Sequence, residues 1–250
     1  MKLDARGKNH SPDDPNWFTT THWSVVLKAA GGESPEAADA LERLCRTYWY
    51  PLYAYCRWRG HKAEDSEDLT QEFFARLLQK NYLSGVGPEK GKFRSFLLTA
   101  LSHFLCNERD KACAQKRGNG VAAISLDAEA AEGRFALEPV CQATPEKLFE
   151  QRWAATLLDE AFAQVREDYT QAGNTALFNE LSKFLADKAA SGNYDSVAQR
   201  LNMSSKAVSV AVHRLRRKYR ECVRREVART VASSADLEDE MQHLFSALTA

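Results

Sequence analysis

The stretch Tyr194-Asp195-Ser196-Val197-Ala198-Gln199-Arg200-Leu201-Asn202-Met203-Ser204-Ser205-Lys206-Ala207-Val208-Ser209-Val210-Ala211-Val212-His213-Arg214-Leu215-Arg216-Arg217 decides the fold. Val197, Ala198 and Leu201 recur at the spacing of one helical face, Asn202 is a turn former, and Ser204 stands where a helix cap belongs. Beyond the cap, Val208, Val212, Leu215 and Tyr219 again share one face. Two helices joined by so short a turn make a helix-turn-helix, and Ala198 is small enough to let them cross closely. The opposite face of the second helix carries Ser205, Lys206, Ser209, Val210, His213 and Arg217, with Arg214 beside it. Short polar groups at its start can enter a major groove while the basic residues further along meet phosphates. The bland alternative is an amphipathic helix pair with a solvated basic face.

Charge segregation favours an anionic partner. The chain of 250 residues balances 34 Lys and Arg against 34 Asp and Glu. Between Lys206 and Arg229, however, Lys206, Arg214, Arg216, Arg217, Lys218, Arg220, Arg224, Arg225 and Arg229 meet only Glu221 and Glu226. Such a concentration repels itself unless something negative neutralises it. The tail then reverses sign through Asp236, Glu238, Asp239 and Glu240. Its Leu237, Met241, Leu244, Phe245 and Leu248 fall on one face of an amphipathic helix. That helix is free to pack back on the protein or to engage a regulator, with its carboxylates competing against DNA for the basic helix.

Upstream, Thr144-Pro145-Glu146-Lys147 is a helix start signal for a segment running from Leu148 to about Val165, and another helix is expected over Thr175 to Ala190. Residues 118 to 145, with Gly118, Gly120, Gly133, Pro139 and Pro145, read as a linker that is partly ordered at most. Before it, apolar residues at helical spacing place one helix over Pro35 to Arg59, which Pro51 is expected to kink or split after Tyr50. A second spans Ala63 to Lys80, with an acidic start and Leu69, Phe73, Leu77 and Leu78 inward. A third covers Lys90 to Arg117. No convincing strand alternation occurs, so the expected class is all-α. Two helical domains, 36 to 117 and 146 to 228, are joined by the flexible linker and flanked by an extension at 1 to 35 and a tail at 229 to 250.

Two segments of the first domain carry partner signals. In Glu67 to Leu78, the residues Asp68, Gln71, Glu72, Phe74, Ala75 and Arg76 stay available to a protein partner when Leu69, Phe73 and Leu77 face inward. An aromatic among charges suits such a surface, although a neighbouring helix could equally bury Phe74. In Lys92 to Lys111, basic residues interleave with aromatics, a pattern that tracks a phosphate backbone and stacks single-stranded bases. Taken singly, Phe93, Phe96 and Phe104 fit a core better.

Other chemistries find little support. The six cysteines are scattered with no C-x-x-C pair, which argues for reduced thiols rather than a disulfide framework or a metal site. Gly87-Pro88-Glu89-Lys90-Gly91-Lys92 lacks P-loop spacing and is followed by Phe93. With no apolar run of membrane length and no signal-peptide core, a cytoplasmic location is expected. No catalytic residue, cofactor or metal is expected.

Together the three segments resemble the extracytoplasmic-function sigma factors, the small two-domain members of the bacterial sigma-70 family, over roughly residues 36 to 117 and 145 to 225. The resemblance implies that Asp68, Gln71, Glu72, Phe74 and Arg76 bind core RNA polymerase. It implies that Lys92, Arg94, Phe96, His103, Asn107 and Lys111 meet the promoter's minus-ten element. Ser205, Lys206, Ser209, His213, Arg214 and Arg217 would then meet the minus-thirty-five element. An anti-sigma factor, or the tail itself, is the implied regulator. His103 and Asn107 stand where many relatives have Asn and Asp, and Ser209 and Ala211 where relatives often have Lys and Arg, so base preference does not transfer. A stand-alone helix-turn-helix regulator is the alternative.

Overall fold

The structure, a computed structural model, describes residues 35–77, 92–114, 128–136, 144–186, 194–231 and 233–249. The leader before residue 35, Leu78 to Lys80, and most of the expected linker lie outside the described residues. Every described element is a helix, so the all-α expectation holds.

Helix α1 (Pro35–Trp58) runs unbroken through Pro51. A proline inside a helix removes a hydrogen bond and costs about 3 kcal/mol. Burial offsets that cost here: Tyr48, Leu52, Tyr53, Ala54, Tyr55 and Cys56 are each at most 1% exposed, and Trp49 and Tyr50 are 7% exposed. Residues 47 to 56 are buried at every position, so packing holds the helix continuous where the sequence admits a split after Tyr50. The helix ends at Gly60, whose φ of 93° permits the closing bonds Gly60 N to Arg57 O and His61 N to Cys56 O.

Helix α2 (Ala63–Leu77) opens with Glu64 and Asp65 against the helix dipole. Its inner face is Ser66, Thr70, Phe73, Phe74 and Leu77, with Leu69 only half-buried. Thr70 Oγ1 donates to Ser66 O at 2.7 Å, which is how a hydroxyl is accommodated on a buried face. Helix α3 (Phe93–Ala114) buries Phe93, Leu97, Leu101, Phe104 and Leu105. Helix α4 (Ala128–Ala136) falls inside the expected linker. It is anchored on α1 by Glu132, which accepts from the Tyr53 hydroxyl and from Arg57 at 2.8 and 3.0 Å.

Helix α5 (Pro145–Gln171) is the spine. Thr144 caps it by accepting from Lys147 N at 3.3 Å, with Pro145 in the first turn, as the start signal predicts. It buries Leu148, Phe149, Trp153, Leu157, Ala161 and Val165, and packs against α1 more extensively than against any other helix. The expected Thr175–Ala190 helix is two short ones, α6 (Thr175–Leu181) and α7 (Lys183–Ala186). Then come α8 (Asp195–Leu201), α9 (Ser205–Thr230), a 3-10 turn at Ser234–Asp236, and α10 (Leu237–Thr249). Both α9 and α10 also lie on α5, and the buried apolar residues of α1 through α10 form one continuous cluster. Buried residues from both sides of the expected linker thus belong to the same cluster.

Candidate nucleic-acid interface

The α8–α9 unit is built from local signals. Asn202 adopts the left-handed conformation at φ 52°, ψ 45°, and Met203 N closes the end of α8 by bonding Ala198 O at 2.9 Å. Asparagine tolerates this region better than other side chains with a Cβ. Ser204 then caps α9, accepting from Ala207 N at 3.2 Å. Val197 and Ala198 of α8 face Val208, Val212 and Leu215 of α9 in the core. Tyr219 is half-buried and its hydroxyl donates to Leu158 O at 3.3 Å.

With that face inward, Lys206, Ser209, His213, Arg214 and Arg217 are exposed, and Val210 is 44% exposed among them. Ser205 is half-buried and donates to Asp195, which ties the two helices together at the turn. The basic residues divide into two sets. Arg216 points inward and donates to Phe184 O through Nε and Nη2 at 3.1 and 2.8 Å. Lys218 pairs with Asp168, Arg224 with Glu238 and Arg229 with Glu226. Arg217 holds Glu221 at 2.8 Å in a pair open to solvent, a weak engagement. Lys206, His213, Arg214 and Arg220 have no carboxylate partner among the described residues. The self-repulsion inferred from sequence is thus relieved in part by carboxylates of the chain itself. What remains unneutralised is a row from Lys206 to Arg220, about 20 Å long at the helical rise.

Behind α8, Arg200 reaches Glu180 at 2.8 Å and Lys183 meets the same carboxylate. Hydrogen bonds first from Arg200 and then from Lys183 hold the Glu180 carboxyl down to about 2. Beside α9 lies an open groove of about 710 Å³ between Tyr169, Leu177, Met203, Val210 and Arg214.

The α2 and α3 segments fare differently. Asp68 and Glu72 are exposed, Gln71 is half-buried and donates to Glu67 at 3.0 Å, and Arg76 bridges Glu72 and Glu108 while lying 4.9 Å from the Phe104 ring centre. Phe74 is 6% exposed and packs edge-on against Phe73. It belongs to the core, which removes it from the expected partner surface. On α3, His103 and Asn107 lie exposed one turn apart, and Phe96 is half-buried against Phe93. Lys111 is on α3, its side chain outside the described residues.

Arg94, expected to reach DNA, is instead 4% exposed. Its Nε meets Glu240 Oε1 at 2.7 Å, its Nη1 meets Glu150, and its guanidinium lies 5.1 Å from the Trp153 ring centre. Lys92 Nζ sits 2.7 Å from the other oxygen of Glu240. Glu240 is fully buried. His243 Nε2 is 2.5 Å from Glu150. Burial first, and then the Glu240 charge, push the neighbouring Tyr48 hydroxyl up. Sequence reading missed this cluster, although a signal was present. The buried stripe of α10 is Leu237, Glu240, Leu244 and Ala247, so a carboxylate occupies an inner position. Phe245 and Leu248, expected on the inner face, are 55% and 40% exposed.

Among the described residues no group of His, Cys, Asp and Glu could hold a metal ion, and no helix is long and apolar enough to cross a membrane. Compared with known proteins, the chain matches no family model, no curated protein and no solved structure.

Proposed function

We propose that this chain is a dissociable specificity subunit of bacterial RNA polymerase, which binds the core enzyme and directs promoter recognition. The single observation that carries the reading is the unneutralised row on α9: Lys206, His213, Arg214 and Arg220, projecting beside Ser209 on the face opposite the core. Small polar groups near the helix start can approach base edges, while cations further along fix register on phosphates. Asp68, Glu72 and Arg76 on α2 supply a charged ridge for the polymerase. His103 and Asn107 on α3 supply hydrogen-bonding groups for an opened strand. Phosphodiester chemistry and its metal ions belong to the core enzyme in this scheme.

One observation favours a second reading. On α9 the expected residues Lys206, Ser209, His213 and Arg214 are exposed, whereas Phe74 of α2, Arg94 of α3 and Lys92 just before α3 are engaged within the chain. A stand-alone DNA-binding regulator needs no more than α9. Co-purification with core polymerase followed by transcription in vitro separates the two. Promoter-specific starts that depend on the added chain support the specificity subunit. Duplex binding without core association supports the regulator, and the absence of both overturns any role in transcription.

A further inference from the structure

We propose that the C-terminal helix α10 is a latch: Glu240 occupies the phosphate-binding valences of Lys92 and Arg94, so this segment binds nucleic acid only after α10 releases it. The inference rests on the reading of Lys92 and Arg94 as nucleic-acid contacts and names their regulation.

Three facts carry it. First, both oxygens of Glu240 are spent on this pair, 2.7 Å from Arg94 Nε and 2.7 Å from Lys92 Nζ. A carboxylate that grips a guanidinium does what a phosphate does, so the two ligands compete for one site. Second, the site is closed. Glu240 is 0% exposed and Arg94 4%, with the Arg94 guanidinium against Trp153 of α5 and a further contact to Glu150. A strand cannot reach Arg94 while α10 is seated.

Third, the latch is built to come away as a unit. The same helix is joined to the basic helix by Arg224 to Glu238, a pair open to solvent, and shows Phe245 and Leu248 on its outer face. Apart from Glu240, its seat is a short apolar stripe of Leu237, Leu244 and Ala247 with half-buried Met241 beside it, and the contact of His243 with Glu150. Exposed ion pairs add little holding energy, so the fully buried Glu240 carries the charged contact that matters most for seating α10. Without it the buried Arg94 keeps only Glu150 as a carboxylate partner among the described residues, which favours release because under-paired buried charge is costly.

The test uses the full chain and fluorescein-labelled oligo(dT) as the probe. Glu240→Gln keeps the shape and removes the charge, and Asp239→Asn changes net charge equally at an exposed position of the same helix. Glu240→Gln is expected to bind oligo(dT) about tenfold or more tighter than Asp239→Asn, since apparent affinity scales with the open fraction. Adding Arg94→Ala to Glu240→Gln is expected to abolish the gain. In the unmutated chain, hydrogen exchange with saturating oligo(dT) is expected to rise over 237–249, a readout that needs no variant to fold. Equal affinities for Glu240→Gln and Asp239→Asn, no binding of oligo(dT) by any variant, or full protection of α10 with the oligonucleotide bound each overturn the latch. Failure to associate with core polymerase overturns the proposed function instead, and leaves the oligo(dT) result standing.

Discussion

Arg214 and Arg216 sit two residues apart on α9 and face opposite ways, so replacing each with alanine should separate binding from stability. Arg216 donates twice to Phe184 O, at 3.1 and 2.8 Å, in a half-buried setting. Removing a charged donor leaves that carbonyl short of partners, a loss of about 2 kcal/mol. For a chain of this size, that lowers Tm by about 4–8 °C. Arg214 is exposed with no carboxylate partner among the described residues, so its removal should leave stability within about 0.5 kcal/mol. Under the proposed function its effect is on DNA binding: taking one cation off a phosphate reduces the slope of log K against log salt by about 0.9. Calorimetry on both variants, together with promoter-duplex titrations at several salt concentrations, reads the two effects separately. Arg216→Ala with an unchanged Tm and a flattened salt slope would refute the assignment of faces on α9.

Trp153 is fully buried on the spine helix, and Trp153→Ala should cost about 3–5 kcal/mol by denaturant titration. Thr144→Ala removes the cap of the same helix and should cost about 1 kcal/mol in that assay. Glu180 has a folded pKa of about 2, below its unfolded value, so its contribution to stability is present above the unfolded pKa and is lost as pH falls toward 2. Carbon-detected NMR titration of Glu180 should show that low midpoint, and Arg200→Ala should raise it. Burial pushes the Cys56 thiol up to about 12, whereas Cys106 is exposed. Peptide mapping after mild alkylation should therefore find Cys106 modified and Cys56 protected until the chain is unfolded.

The parts of the fold that were legible in the sequence are those decided within a few residues. Thr144 before Pro145, Ser204 before α9, and Asn202 at the turn each satisfy backbone groups next to them, and each stands where the spacing places it. What a charged residue pairs with is not local. Arg94 and Glu240 are separated by 146 positions, and nothing in the pattern around Lys92 says that its anion comes from the tail. Phe74 follows Phe73, and only the closeness of α1 and α3 on either side lets α2 bury both. Pro51 shows the reverse conflict: a correct local rule against a helix interior gave way to packing around residues 47 to 56 of α1.

The spine has a consequence for how the chain comes apart. Helix α5, 27 residues and about 40 Å long, backs α1 on one side and α9 and α10 on others. Buried residues of α1, α5, α9 and α10 belong to one cluster, so heating should give one endotherm whose calorimetric and van't Hoff enthalpies agree. A fragment ending before Pro145 strips the cover from the aromatic flank of α1, and such bared apolar surface drives self-association.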